Sequence, residues 1–285
     1  MKPASFEYVR AETAEHAFEV LARHAGQASL LAGGQSLIPM MNLRLARPSM
    51  LIDIGRLPLT EISTAPDAIS IGALVRHREL IANGVLAQAV PILAEAARNI
   101  AHPTIRNHGT AGGSIAYADP TAELAALLVL LDGQVVAGSK RRTRTIEAED
   151  FFRGAFDTAL EEDEMIVSLR FRPPKARHGS AFLEVAERQG DYAIAAVGVL
   201  IVKSGDTVKE ARIVLSGADS RPVRAREAER MLEGGTVTKA SAREAAHAAT
   251  RGCQAYSDIR ASAEYRKSLL ETLAARALES AWNEN

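Results

Sequence analysis

Two pairs of adjacent glycines carry the clearest chemical signal in the chain. The first, in Ala32-Gly33-Gly34-Gln35-Ser36, follows the apolar run Ala28-Ser29-Leu30-Leu31 and precedes Leu37-Ile38-Pro39-Met40-Met41. Adjacent glycines let the backbone take positive φ values and approach a ligand closely, and Pro39 suits the first turn of a helix, where a missing N–H costs nothing. The spacing predicts a strand, a turn and a helix N-terminus. Such a turn gathers free N–H groups and the positive end of a helix dipole, so it receives an anion, most often a phosphate. On its own the motif reads first as a tight turn that binds nothing. The second pair lies in Gly109-Thr110-Ala111-Gly112-Gly113-Ser114-Ile115-Ala116-Tyr117-Ala118-Asp119-Pro120, read as a second glycine turn ahead of an apolar helix over 123–131. Two such turns can hold a pyrophosphate from both sides with backbone N–H groups, while Gln35, Ser36, Thr110 and Ser114 add side-chain hydrogen bonds. The two together point to an extended dinucleotide between two domains.

Other chemistries find little support. The dinucleotide fingerprint G-x-G-x-x-G is absent, and Gly133 and Gly138 have P-loop spacing but are followed by Ser139-Lys140 in the wrong order. Gly112-Gly113-Ser114-Ile115-Ala116 looks like a hydrolase elbow with its last glycine replaced, yet Asp119-Pro120 delays the helix an elbow requires. His16, His24, His77, His102, His108, His178 and His247 show no metal-binding spacing; His102 and His108 flank the second turn. The acidic cluster of Asp157, Glu161, Glu162, Asp163 and Glu164 reads as a solvated loop ahead of a strand.

The elements that must hold the two glycine pairs follow from periodicity. A strand at 6–9, a helix over 15–24, a strand at 28–31, a short helix and a strand at 50–54 make β-α-β-α-β, hence a small parallel sheet. A strand at 68–72, helices at 78–82 and 86–99, the apolar helix, and strands at 134–137, 143–146 and 165–171 predict an antiparallel sheet. Pro173-Pro174 marks a linker. Strands at 180–186, 193–202 and 209–215 and helices at 222–232, 239–250 and 263–282 then close the chain, the last helix with Tyr265, Leu269, Leu273, Ala277 and Ala281 on one face. The expected domains are 1–57, 58–174 and 175–285.

Composition narrows the class further. The formal net charge is -1 with acidic and basic residues intermixed, which gives no nucleic-acid surface or polybasic membrane patch. One cysteine, Cys253, excludes an internal disulfide and a cysteine-ligated cluster held by this chain alone. The apolar runs 124–131 and 193–202 fall short of the ~20 residues a membrane helix needs. With no signal-like segment after Met1, a cytoplasmic protein is expected.

With both glycine motifs in view, the chain resembles the FAD-binding medium subunit of molybdenum hydroxylases, relatives of carbon monoxide dehydrogenase and xanthine dehydrogenase. The resemblance extends through Ile105-Arg106-Asn107, Ala118-Asp119-Pro120, Arg188-Gln189-Gly190-Asp191-Tyr192-Ala193 and Ala263-Glu264-Tyr265-Arg266, spanning nearly the whole chain. It implies an α+β fold: an FAD-binding domain of the vanillyl-alcohol-oxidase (PCMH) type, with a small βαβαβ subdomain and a mixed or antiparallel-sheet subdomain. A C-terminal α+β domain with a three-stranded antiparallel sheet and helices follows. It also implies that Ala32, Gly33, Gly34, Gln35, Ser36 and Leu37, with Thr110, Ala111, Gly112, Gly113 and Ser114, bind FAD at its pyrophosphate. By the same resemblance Ile100 lies against the flavin side, Asp119 or Glu123 reaches a polar part of FAD, Met165 or Ile166 gives an apolar contact, and Tyr192 sits beside the isoalloxazine ring. Three positions depart from relatives: Ala111 for isoleucine or valine, Tyr117 for histidine or asparagine, and Leu183 for the lysine of eukaryotic enzymes. The single cysteine excludes the benzoyl-CoA reductase branch, whose subunit holds a further iron–sulfur cluster.

The implied function is electron transfer through FAD to an external acceptor. A large molybdopterin subunit and a small subunit with 2Fe–2S clusters are the implied partners, in a dimer of heterotrimers. No residue of this chain need act as acid, base or nucleophile. A stand-alone flavin oxidoreductase and an assembly module without FAD are the alternatives.

Overall fold

The computed structural model describes residues 2–65, 68–174 and 176–284, so the expected domain start at 175 lies outside the described residues. The chain begins with β1 (Glu7–Arg10), α1 (Ala14–Arg23), β2 (Ala28–Leu31), α2 (Leu37–Asn42) and β3 (Met50–Asp53). The three strands form a parallel sheet in the order β1-β3-β2, the arrangement a β-α-β-α-β pattern dictates. Thr13 starts α1 by accepting the His16 N–H on its hydroxyl at 3.1 Å, and Ala17, Val20 and Leu21 pack onto Met50 and Ile52 of the sheet. Leu74 and Met165, far along the sequence, complete that same apolar cluster.

A second sheet follows, with β4 (Ile62–Thr64) and β5 (Ile69–Gly72) leading into a helical stretch of α3 (His77–Ala82), α4 (Gly84–Ala89), α5 (Pro91–Asn99), α6 (Pro103–Arg106), α7 (Ala111–Tyr117) and α8 (Glu123–Leu130). The chain then returns through β6 (Gln134–Gly138), β7 (Thr143–Glu147), α9 (Ala148–Phe151), the small hairpin β8 (Phe152–Gly154) and β9 (Asp157–Thr158), and β10 (Met165–Phe171). The antiparallel order is β4-β5-β10-β6-β7. The single helix expected over 86–99 is two, because Pro91 has no N–H to continue α4 and instead opens α5. The second glycine pair is not a turn: Gly112 and Gly113 lie in the first turn of α7. In α8 every residue from Leu124 to Leu130 is buried, because the helix is enclosed by α5, α7 and the sheet that follows.

That last sheet consists of β11 (His178–Val185), β12 (Ala195–Ser204), β13 (Thr207–Ser216) and the two-residue β14 (Val223–Arg224), antiparallel throughout and one short strand larger than expected. Helices α10 (Arg226–Leu232), α11 (Lys239–Arg251) and α12 (Ala263–Asn283) cover one face. Alanines at 242, 245 and 246 of α11 meet Ala274, Ala277 and Ala281 of α12 in one cluster, where small side chains permit a close approach of the helices.

The buried face of α12 is rotated from the expected one. Tyr265 is half exposed, and Arg266, only 1% exposed, points inward with Leu270, Leu273 and Ala277. The Arg266 guanidinium donates to the carbonyl oxygens of Ile194 and Gly217, each at 2.6 Å, and pairs with Asp258 at 2.7 Å. It also lies over the Tyr256 ring at 4.6 Å. A charge can be buried here because those oxygens replace water. Arg266→Ala strands the Ile194 and Gly217 carbonyls and leaves Asp258 unpaired. We expect a loss of about 3–5 kcal/mol in urea unfolding at neutral pH, read from Trp282 fluorescence on the same helix.

Candidate functional site

A cleft of about 540 Å³ opens between the three units. One wall is the β2–α2 turn with Ala32, Gly33, Gly34, Gln35, Ser36 and Leu37; the opposite wall is the start of α7 with Thr110, Gly112, Gly113 and Ser114. Ile100, Asp119, Glu123, Met165, Ile166 and Tyr192 complete the set brought together from the sequence. Ala111 alone of the expected residues is not in the lining; it is 1% exposed and gives its N–H to the Val75 carbonyl at 2.9 Å.

The two walls differ in what they offer. Gly34 has φ +72°, and a Cβ on Gly33 would sit 2.2 Å from the His108 carbonyl oxygen, so glycine is required at both positions. Among the described residues no protein acceptor serves the N–H groups of Gly33, Gly34, Gln35 and Ser36. Ser36 occupies the N-cap of α2 without making a side-chain cap, which leaves the helix end open. Across the cleft, the N–H groups are already committed. Gly112 donates to Ala73 O at 2.8 Å and Gly113 to Thr110 Oγ1 at 3.1 Å. A Cβ on Gly112 would lie 2.6 Å from that of Ala73, so this glycine serves helix-to-strand packing. The expected symmetrical grip by two sets of backbone donors is therefore one-sided. The first turn has free main-chain donors, and α7 presents its helix end and the Ser114 hydroxyl.

Residues that motif reading passed over also line the cleft, among them His77, Gly109, Glu162 and Glu164, whereas His102 and His108 do not. His77 Nε2 lies 3.1 Å from Thr110 O, and since a carbonyl only accepts, Nε2 carries the proton. Burial first, then the nearby Arg106 and Arg76, push this imidazole down to about 4, so it is neutral at physiological pH. It holds the segment before α7 from beneath, with its own N–H donating to Gly109 O at 3.1 Å and Arg76 donating to His108 O. The isolated bridge between Arg76 and Thr110 that brings this about joins distant stretches and leaves no local pattern.

Charge in the cleft is one-signed. Asp119, Glu123, Glu162, Glu164 and Asp191 line it, and among the described residues no Lys or Arg does. Glu164 is not the solvated residue expected of its acidic cluster. Its side chain is 1% exposed and takes two hydrogen bonds from Arg144, at 2.6 and 2.7 Å. Burial alone would raise its carboxyl, but the bonds from Arg144 and from the Glu161 N–H outweigh that and hold it below the ordinary range. Glu123 is pushed up to about 8 by burial, then by the carboxyls of Glu184 and Asp119. Tyr192 is half exposed, yet the desolvated side of its phenol, next to Asp119 and Tyr117, takes it up to about 12.

Residues 4–174 match the family model described as the FAD binding domain in molybdopterin dehydrogenase, and residues 180–281 the CO dehydrogenase flavoprotein C-terminal domain. The chain belongs to the molybdopterin dehydrogenase flavoprotein family. This flavoprotein is 41% identical over 285 residues to the 6-hydroxypseudooxynicotine dehydrogenase complex subunit alpha of Paenarthrobacter nicotinovorans, covering 99% of this chain and 96% of the relative. It is 36% identical to the carbon monoxide dehydrogenase medium chain of Hydrogenophaga pseudoflava, over 99% of both. Among solved structures, it superposes on a chain of carbon monoxide dehydrogenase from Hydrogenophaga pseudoflava with a TM-score of 0.97 at 38% identity, covering 100% of this chain and 99% of that one. On quinoline 2-oxidoreductase from Pseudomonas putida 86 the TM-score is 0.95 at 34% identity, over 99% of both chains.

The Arg144–Glu164 pair gives the flavoprotein a measurable acid dependence. Because the Glu164 carboxyl is held below its ordinary value of about 4.5, its stabilisation is fully present above that pH and is lost as pH falls through the folded-state value. Glu164→Ala is expected to cost about 2 kcal/mol at pH 7, with a smaller deficit against the unsubstituted chain at pH 3, in urea unfolding at the two pH values.

Proposed function

We propose that this chain is the FAD-holding electron-transfer subunit of a molybdenum hydroxylase, standing between a 2Fe–2S partner and an external acceptor. The observation that carries the reading is the row of unserved N–H groups at Gly33, Gly34, Gln35 and Ser36 on the wall of the cleft. Backbone donors beside an open helix end suit a pyrophosphate, and the absence of Cβ atoms at 33 and 34 lets it come close. When bound, FAD supplies chemistry that accepts electrons singly and releases them in pairs. In this reading Ser114 and Thr110 face the second phosphate, with Ala111 shaping the helix behind them. Ile100, Met165 and Ile166 offer an apolar surface to a flat ring, and Tyr192 covers it with its phenol toward water. Leu37 continues the first wall, and Asp119 and Glu123 provide the polar end.

The chain's work is then to bind, orient and seal. Its three units correspond to a division into 1–57, 58–174 and 175–285, which the three larger sheets support. Relatives named as a medium chain and as a subunit of a complex support partner subunits, which this reading takes as a large molybdopterin chain and a small iron–sulfur chain in a dimer of heterotrimers. Among the described residues no helix is long and apolar enough to cross a membrane. The reading includes a cytoplasmic location, in keeping with one buried, unpaired thiol at Cys253.

Gly34→Val places a β-branched side chain at φ +72° and against Ile38. The variant is expected to fold and to lose FAD, read as flavin absorbance per mole of purified chain; stoichiometric FAD in it counts against the pyrophosphate role. Tyr192→Ala is expected to keep FAD while shifting its visible spectrum or its reduction rate, and an unchanged spectrum and rate would remove Tyr192 from the ring. Co-purification from the native host with a molybdenum-containing subunit tests the partner assignment.

A further inference from the structure

Tyr192 is held in place by its backbone and not by its own hydroxyl. The side chain is half exposed, and among the described residues its phenol makes no hydrogen bond. The segment that carries it is anchored on both sides. On one side Gly190, at φ +87°, packs so closely that a Cβ there would lie 2.8 Å from the Ala101 carbonyl oxygen. On the other, Ile194 donates its N–H to Val185 O at 2.7 Å and offers its own carbonyl to the buried guanidinium of Arg266. We propose that Arg266 is a positioning residue for the flavin site: from α12 it clamps the chain at the start of β12 and so sets where the Tyr192 ring stands at the cleft. This rests on the FAD reading above. Arg266 itself does not line the cleft and acts through Tyr192.

Three stretches far apart in sequence meet at this guanidinium. Nη1 donates to Ile194 O and to Gly217 O, each at 2.6 Å, and Nη2 to Asp258 at 2.7 Å, while Nε has no partner. Two carbonyl dipoles converge on one nitrogen, and without the cation between them they repel. Gly217 is fastened in turn to the cleft. Its N–H donates to Pro120 O at 3.0 Å, joined there by the Ser216 hydroxyl at 2.7 Å, and Pro120 follows Asp119 of the lining. Arg266 therefore ties the segment of Tyr192 to a bend that is itself bonded to the cleft wall. Asp258 closes the third side: its Oδ1 accepts the N–H groups of Arg260 and Ala261 at 2.9 and 3.0 Å, and the Arg260 side chain reaches the Tyr192 carbonyl at 3.5 Å. The two arginines thus hold carbonyls on either side of Ala193, and the Tyr256 ring, 4.6 Å from the Arg266 guanidinium, fixes the orientation of the fork. An aromatic ring covers a flat π-system only at the right offset, so a displacement of about 1 Å in its backbone is enough to lose the contact. A lysine keeps the charge of Arg266 but is a point donor without the planar fork that spans these three acceptors.

The test compares the full-length chain, loaded with FAD, as the unsubstituted protein, Arg266→Lys, Tyr192→Ala and the double variant, by flavin fluorescence per bound FAD and by visible circular dichroism of the flavin bands. A phenol lying against an isoalloxazine quenches its emission, so Tyr192→Ala is expected to brighten the bound flavin. Arg266→Lys is expected to keep FAD and to brighten it part of the way, with a matching change in the flavin dichroism, and to add nothing in the Tyr192→Ala background. Flavin signals that Arg266→Lys leaves unchanged, or shifts equally in both backgrounds, mark a role confined to stability and overturn the proposal while FAD binding stands. Hydrogen exchange on the chain without flavin reads the clamp directly. The Ile194 and Gly217 amides, both hydrogen-bonded, are expected to exchange faster in Arg266→Lys while those of α11 keep their rates. Unchanged exchange at both amides overturns the clamp whatever the flavin does. Absence of FAD from the unsubstituted chain overturns the FAD reading and the positioning role with it, and the exchange rates then report the clamp alone. Should Arg266→Lys fail to fold, Asp258→Asn removes the ionic partner of Nη2 and takes its place in the same comparison, with a smaller brightening expected and none overturning the proposal.

Discussion

The structure depends on one close approach. The turn after β2 meets the segment before α7 so nearly backbone to backbone that a single carbon on Gly33 would lie 2.2 Å from the His108 oxygen. That contact joins the first sheet to the second on the wall of the cleft, where the Gly33–Ser36 amides meet no protein acceptor among the described residues. His77 and Arg76 brace it from below by holding the 108–110 backbone. The donors that the proposed FAD site offers are main-chain dipoles whose positions are fixed by packing, and among the described residues no Lys or Arg lines the cleft.

Much of this architecture was legible in the sequence because its signals are local. The alternation and helical spacing over the first 54 residues, with Gly26 in a positive-φ turn, dictate the parallel sheet that forms. Gly33 and Gly34 announced a special backbone, and the uniformly apolar 124–130 stretch announced an apolar helix, which the fold buries along its whole length. All but one of the residues assigned to FAD by resemblance meet in a single cleft.

The failures share a cause. Gly112 and Gly113 look like a turn because glycine is a poor helix former, but the fold needs their missing side chains so that α7 can lie against Ala73. Arg266 disturbs the expected face of α12, since nothing near it in sequence shows that the Ile194 and Gly217 carbonyls wait for a donor. Glu164 sits in a run of acids that reads as surface until Arg144, twenty residues upstream, is seen across from it. Each is a long-range hydrogen bond or contact that overrode a local preference, and hydropathy patterns carry no record of such partners.

The shared core of the first sheet has a consequence for how the chain is made. Met50, Ile52 and Leu57 are covered in part by Leu74 and by Met165 at the start of β10. On a ribosome, the first sheet therefore stays open on one side until more than a hundred further residues have emerged. The N-terminal unit is a separate sheet whose core is completed by residues from beyond it. Met165 is also part of the cleft wall, so the residue that closes the core of the first sheet also shapes the site.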